Sequence, residues 1–476
     1  MFRDAKGGVA AEMIRRMLCA VLGLALRVFF RRIEIAGAER VPREGAVIFV
    51  VNHPNGLVDP VFVLCHAPRA VSFLAKAPLF KIPVVGFLAR SLDAIPVYRK
   101  QDEGADTSQN RETFARSREL LKRGGTFAIC PEGVSHNDTK LRPLKSGAAR
   151  IALGVMAEDP TLDLKIIPAG LYYTSKTAFR SAALLYFGEP LPVPAVALDS
   201  DGEPPRAAVN ALSSQIAAAL ADVTLNAEHE QALHIIARAE RIFSAAAENG
   251  ASNPASLARE LELRRRFVDG YAFHFERSPA RLAELDARLH RYEEELREAG
   301  IDEDDLSAPR ASASMIARYF LTRVVPTLCL FPLAWAGVLI HFPAYKLNSF
   351  LATEFAQEND DVVSTFKIIG ALLLFPLTWI VLALASWWLA GWPLAVLSLV
   401  VAPLAGFVAV CFFERLDTFV GGARALLFYV RRRQFFKQLL VERRRLREEI
   451  IALGEEAARA QALTVDISEA QAGQPV

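Results

Sequence analysis

Between Ile368 and Phe413 the chain carries no charged residue. A helix rises about 1.5 Å per residue and a bilayer core is about 30 Å thick, so about 20 apolar residues cross it. The run has room for two crossings, and Gly391-Trp392-Pro393 supplies a tight turn near its middle. We read residues 368–413 as a transmembrane hairpin. Hydrophobic residues make up 52% of the chain and their excess lies in the last third, as a membrane protein requires. A net charge of +2 names no partner.

The flanks of the hairpin set an expected topology. Residues 324–342 are apolar, but Pro326, Pro332 and Pro343, with Arg323 and Lys346 at the edges, point to a re-entrant or interfacial segment within a membrane region over 316–415. The tail carries Arg431-Arg432-Arg433 and Arg443-Arg444-Arg445 among Phe435, Phe436, Leu439 and Leu440. Over 416–463 it reads as a basic amphipathic helix on an anionic surface, or as half of a coiled coil, and 464–476 as disordered. A basic tail and a basic front half belong on the cytoplasmic side, so the number of crossings should be even.

At the other end, Met17 to Leu26 is an apolar core between Arg15 and Arg16 and Arg27, Arg31 and Arg32. Ten residues cannot span hydrocarbon, so residues 1–35 read as an interfacial helix, each arginine gaining roughly 1 kcal/mol among anionic headgroups. An uncleaved signal-like helix or a core helix is the competing reading. Cys19, Cys65, Cys130, Cys329 and Cys411 are odd in number and lack metal-ligand spacing, which argues against a disulfide framework, a zinc site or any metal and fits a reducing compartment.

Residues 36–224 alternate short buried strands with helical stretches, the pattern of an α/β domain. Ile48 to Val51 is a strand delivering Asn52 and His53 to its carboxyl end, where α/β sheets place their chemistry. Pro54-Asn55-Gly56 is a turn, and Asp59-Pro60 reads as an N-cap followed by proline at the first helical position. On the residues alone two readings stand: a loop histidine beside a capping aspartate, or an imidazole base with a carboxylate fixing its tautomer. Further strands are expected at 71–75, 93–97, 126–130 and 165–170, and a helix over 108–122. Lys145 precedes a helix whose N-terminus is a natural anion site. From 225 to 315 the chain reads as charged helices. Leu282, Leu285, Leu289, Tyr292 and Leu296 form a seam there, while His229, His234, His274 and His290 lack metal-like spacing.

The block Asn52-His53 followed by Asp59 resembles the signature of the glycerol-phosphate and lysophospholipid acyltransferase family, whose usual spacing is four residues rather than the five seen here. The longer spacing and Asp59-Pro60 resemble the branch of the fungal dual-substrate glycerol 3-phosphate acyltransferases. Ile95-Pro96-Val97-Tyr98-Arg99 resembles the second family block, and Cys130-Pro131-Glu132-Gly133-Val134-Ser135-His136 the third, with Ser135 where an arginine is usual. The resemblance implies an acyltransferase-like central sheet flanked by helices, followed by an α-helical region and the hairpin. It implies His53 as general base, Asp59 as its orienting partner, and phosphate contacts from Arg99, Lys145, Ser135 and His136. Asn52, Glu132 and Gly133 would position substrate or loop.

The implied reaction moves an acyl group from acyl-CoA or acyl carrier protein to glycerol 3-phosphate, 1-acylglycerol 3-phosphate or both. No cofactor beyond that thioester co-substrate is implied, and the partners are membrane lipids. No nucleic-acid motif is present. The implied location is an integral membrane protein with its catalytic domain facing the cytoplasm, read as a bacterial inner membrane. Two alternatives stand beside it: an acyltransferase on another lysolipid, and a non-catalytic lipid-binding scaffold with this fold.

Overall fold

The computed structural model describes residues 5–99, 107–227, 256–300, 325–356 and 360–472, with positions 233, 235, 238 and 242. The chain divides into two compact units, Met1–Asn226 with Leu351–Ile369, and Ala227–Phe350 with Gly370–Val476.

The first unit opens with helix α1 (Ala5–Phe29) and strands β1 (Arg32–Ala36) and β2 (Ala46–Val51). It continues through α2 (Val58–His66), β3 (Ser72–Lys76), α3 (Pro83–Ser91), β4 (Ile95–Val97), α4 (Asn110–Lys122), β5 (Thr126–Ile129) and α5 (Gly147–Glu158). It closes with β6 (Leu164–Tyr173), β7 (Ala182–Phe187), β8 (Leu191–Pro192) and α6 (Arg206–Ala221). The sheet order is β1-β7-β6-β2-β5-β3-β4, with β8 on β6. Strands β4, β3, β5, β2 and β6 run parallel, and β7 is antiparallel to β6.

Strand β2 is buried along its whole length, and its side chains alternate between two cores. Val47, Phe49 and Val51 pack with Leu26, Phe30 and Phe62 from α1, α2 and their flanks. Ala46, Ile48 and Val50 pack with Leu121, Ile151, Leu153 and Leu212 from α4, α5 and α6. A strand covered on both faces becomes a continuous apolar run, as its sequence shows. With parallel neighbours β5 and β6 on either side, the loops after β2, β5 and β6 share one edge of the sheet.

Two expectations for this unit need correction. The boundary expected at 35/36 falls inside β1, which pairs with β7, so the front segment is part of the domain. Helix α1 is partly a core helix: Leu26 and Phe29 are buried, while Met13, Met17, Val21, Leu24 and Val28 form an exposed apolar face.

In the second unit α7 (Leu257–Arg277) and α8 (Pro279–Ala299) precede three helices long and apolar enough to cross a membrane. These are α9 (Val325–Ala356), α10 (Asp360–Ala390) and α11 (Trp392–Arg431), and α12 (Arg433–Ala472) follows. The end of α9 and the start of α10 belong to the first unit, which the expected membrane boundary at 316–415 did not separate. Where an interrupted segment was expected, α9 is one helix with Pro332 and Pro343 inside it.

Contacts within this unit locate α9. Its His341 meets both Trp379 of α10 and Gly406 of α11, so those two helices fold back on each other about Gly391. To either side, the Phe331 ring lies against Phe412 in a tilted contact and Asn348 lies against Gly370. Phe412 and Gly370 are equally far from Gly391 in sequence, and both are farther from it than Trp379 and Gly406. Helix α9 therefore packs against both legs of the hairpin, with its middle nearer the turn than Phe331 and Asn348 are.

The amphipathic tail also needs correction. The α8 seam of Leu285, Leu289, Tyr292 and Leu296 packs with Phe436, Leu439, Leu446, Ile450 and Leu453 of α12, so that apolar face meets protein rather than lipid. The stretch expected to be disordered after 463 continues as helix to Ala472. His274 is buried, with Nδ1 on Ser278 Oγ and Nε2 on the Leu453 carbonyl. His229, His234 and the expected helical residues 301–315 lie outside the described residues, as do 473–476.

Candidate active site

Strand β2 ends at Val51, and the Asn52 amide extends its ladder by one step. Its Nδ2 donates to the Leu171 carbonyl at 3.0 Å, and its Oδ1 accepts from the Leu171 N–H at 2.7 Å. This sets the exit direction of the chain, so Asn52 positions the loop. His53 follows, and the turn through Gly56 at φ 39° brings the chain back to Asp59. Helix α2 begins at Val58 with Leu57 as its cap, so Asp59 is not the N-cap expected.

The Asp59 carboxylate is buried with three donors on it. Oδ2 accepts from His53 Nδ1 at 2.9 Å and from the Asn55 amide at 2.7 Å, and Oδ1 accepts from Tyr173 Oη at 2.7 Å. Its side chain is 0% exposed and that of His53 is 20% exposed. A carboxylate bonded to Nδ1–H holds the proton there and leaves the Nε2 lone pair outward. Nε2 has no partner among the described residues. Tyr173 is raised well above the ordinary tyrosine range, first by burial and then by the Asp59 charge, so it remains a donor through neutral pH.

The β5 loop is stitched to the same place by Glu132, which is 4% exposed. Its Oε1 accepts the His53 amide at 3.0 Å, Oε2 accepts the Arg142 amide at 3.0 Å, and His136 Nε2 also lies on Oε2. Burial pushes this carboxyl up, but the bonds from His136 and the two amides outweigh it, and its pKa sits below the usual value. Glu132 thus holds three loop segments through hydrogen bonds. His136 Nδ1 accepts the Asp138 amide at 3.2 Å. With both ring nitrogens engaged and the ring buried, His136 braces the loop in this structure.

The basic residues converge on the next residue along. Arg99 Nη1 donates to the Gly133 carbonyl at 2.6 Å, and the Lys145 side chain lies where a Cβ on Gly133 would be, at a φ of 77° that favours glycine. Arg99 is aimed by α4. Asn110 clamps the Tyr98 backbone through Oδ1 at 3.0 Å and Nδ2 at 2.6 Å, and Thr113 Oγ1 donates to the Pro96 carbonyl at 2.7 Å. Lys145 is exposed and Ser135 half-buried. Cys130, behind this turn, is pushed well above the ordinary thiol range by burial and by the charges of Asp59 and Glu132, so it is no nucleophile.

Residues 32–172 match the sequence profile of the acyltransferase family, and residues 245–458 that of the glycerol-3-phosphate acyltransferase 2 C-terminal domain. The chain thus carries a match to the acyltransferase family over residues 32–172. Among relatives of this chain, glycerol-3-phosphate O-acyltransferase 1 of Saccharomyces cerevisiae is 27% identical over 448 residues, covering 74% of this chain and 58% of the yeast protein. Glycerol-3-phosphate O-acyltransferase 2 of the same yeast is 29% identical over 289 residues, covering 58% of this chain and 38% of its own length. The chain thus spans little more than half of the first relative. The solved 1-acyl-sn-glycerophosphate acyltransferase of Thermotoga maritima is similar at 19% identity and a TM-score of 0.32, covering 46% of this chain and 81% of that one.

Sequence reasoning missed Tyr173, Asn55, Lys176, Asn110 and the start of α10. Tyr173 had one signal: a polar-tipped aromatic at the end of a buried strand needs a partner.

Proposed function

We propose that this acyltransferase moves a fatty acyl group from a thioester, acyl-CoA or acyl carrier protein, to the hydroxyl of glycerol 3-phosphate, 1-acylglycerol 3-phosphate or both. The observation that carries this reading is the His53 Nδ1 to Asp59 Oδ2 bond of 2.9 Å around a fully buried carboxylate. His53 Nε2 takes the acceptor's hydroxyl proton as that oxygen bonds to the thioester carbonyl carbon. The C–S bond then breaks, and the departing sulfur takes the proton from His53. A thioester is already activated, so the chain's own groups suffice for this sequence. Arg99, with Lys145 and Ser135, binds the acceptor phosphate beside Gly133.

Membrane seating suits the substrates: the acyl chain is apolar, whereas the phosphate acceptor and thioester carrier are water-borne. The catalytic unit accordingly faces the cytoplasm, at the inner membrane if the source is bacterial. The test is purified full chain with labelled acyl-CoA or acyl carrier protein and a panel of glycerol 3-phosphate, lysophosphatidate, other lysolipids and monoacylglycerol. Transfer to the two phosphate acceptors, lost in His53→Ala, is expected. Efficient acylation of monoacylglycerol overturns the phosphate assignment.

A further inference from the structure

The turn carrying His53 is held from a point 308 residues further along the chain: the Leu57 amide donates to Thr365 Oγ1 on α10 at 3.1 Å. The neighbouring Ser364 Oγ donates to the carbonyl of Lys176, and Lys367 Nζ donates to that of Thr177 at 2.7 Å. That loop is itself tied to the site. Asn55 Nδ2 donates to the Lys176 carbonyl at 3.4 Å, and Lys176 Nζ reaches Asn137 Oδ1 at 3.1 Å.

A hydroxyl inside a helix ordinarily bonds back to the preceding turn of its own helix. Thr378, further along α10, does so, donating to Leu374 at 2.8 Å. Ser364 and Thr365 are more shielded, at 0% and 6% exposure, and their oxygens reach two loops of the catalytic unit. The Leu57 amide and the Asn55 amide that sits on Asp59 belong to one tight turn, with Val58 N bonded to the Asn55 carbonyl at 2.9 Å. Moving one moves the other.

We propose that Ser364, Thr365 and Lys367 are positioning residues of the acyl-transfer centre, holding the His53 turn and the Lys176 loop so that the Asn55 amide stays on Asp59 and Nε2 stays aimed at the acceptor. This rests on the assignment of His53 and Asp59 as the catalytic pair. The helix that enters the membrane is then also a wall of the catalytic centre.

The test is steady-state transfer by full-length protein in phospholipid nanodiscs, with saturating labelled palmitoyl-CoA and varied glycerol 3-phosphate. Rates are taken per monodisperse molecule. Misplacement by about 1 Å can cost up to about a hundredfold, so Thr365→Val should lower kcat at least about tenfold with KM for glycerol 3-phosphate within about twofold. Thr365→Ser, which keeps the acceptor oxygen, should restore at least about half the rate. Thr378→Val on the same helix should match wild type. Should Thr365→Val not yield monodisperse protein, Thr365→Ala is read by the same criterion. An active wild type whose Thr365→Val kcat is unchanged, or whose Thr365→Ser falls equally far, overturns the proposal alone. A wild type that transfers nothing, or a fully active His53→Ala, overturns the catalytic assignment and the proposal with it.

Discussion

Asp59 accepts three hydrogen bonds, and only one of them comes from His53. The other two keep a buried charge in place while the base works, which divides the expected mutational effects. His53→Ala should lower kcat at least about a hundredfold, the scale of a lost general base, and should also lower the melting temperature because it takes a donor from the buried carboxylate. Tyr173→Phe removes a donor to a buried carboxylate and should cost about 1.5 to 3 kcal/mol of stability, read from chemical unfolding. Because the tyrosine's folded pKa is raised, its contribution is fully present below the unfolded value near 10 and fades only as pH rises beyond it. Glu132 behaves oppositely. Its folded pKa is lowered, so its contribution is present above the ordinary carboxylate value of about 4.5 and is lost as pH falls through the folded one. Glu132→Gln should therefore melt well below wild type at pH 7, with the gap narrowing below pH 4.5; a gap independent of pH would contradict this. The proximity of His53 and Asp59 was legible through the family resemblance, whereas the turn residues alone left two readings open. Tyr173 was not, since its partner lies 114 residues away, and spacing alone could not show that His136 turns inward to Glu132.

Among the elements, the buried strands were legible because β2, β5 and β6 are unbroken apolar runs that stop at turn residues. Strand β1 was overlooked: Arg32 to Ala36 is short and carries charge, and only pairing with β7 makes it a strand. The apolar stripe of α12 was read but its partner was not, because a face that suits lipid equally suits the α8 seam. The β4 end that aims Arg99 depends on Asn110 and Thr113 of α4, a link between elements that no local pattern reveals. Arg99→Ala should cost roughly 2 to 4 kcal/mol in kcat/KM for glycerol 3-phosphate and for lysophosphatidate alike, since both carry the phosphate. Asn110→Ala should reproduce part of that loss mainly in KM. Unchanged kcat/KM in Arg99→Ala would remove it from the phosphate site.

For the molecule as a whole, helix length alone allows three spans, an odd number. We propose that only the hairpin crosses, because Phe331 and Asn348 of α9 meet its two legs at equal sequence distances from Gly391. Single cysteines at Leu328, Phe350 and Gln438 should therefore react with an impermeant reagent from one face of sealed vesicles, and a cysteine at Trp392 from the other. Opposite-side labelling at Leu328 and Phe350 would make α9 a true span. The Leu57 to Thr365 bond also has a meaning in time. A ribosome adds about 5 to 20 residues per second, so the His53 turn leaves it roughly 15 to 60 s before its anchor does. The nascent chain would meanwhile hold its base in a turn without that support, and on our proposal transfer would reach its full rate only after Thr365 had emerged and docked on that turn.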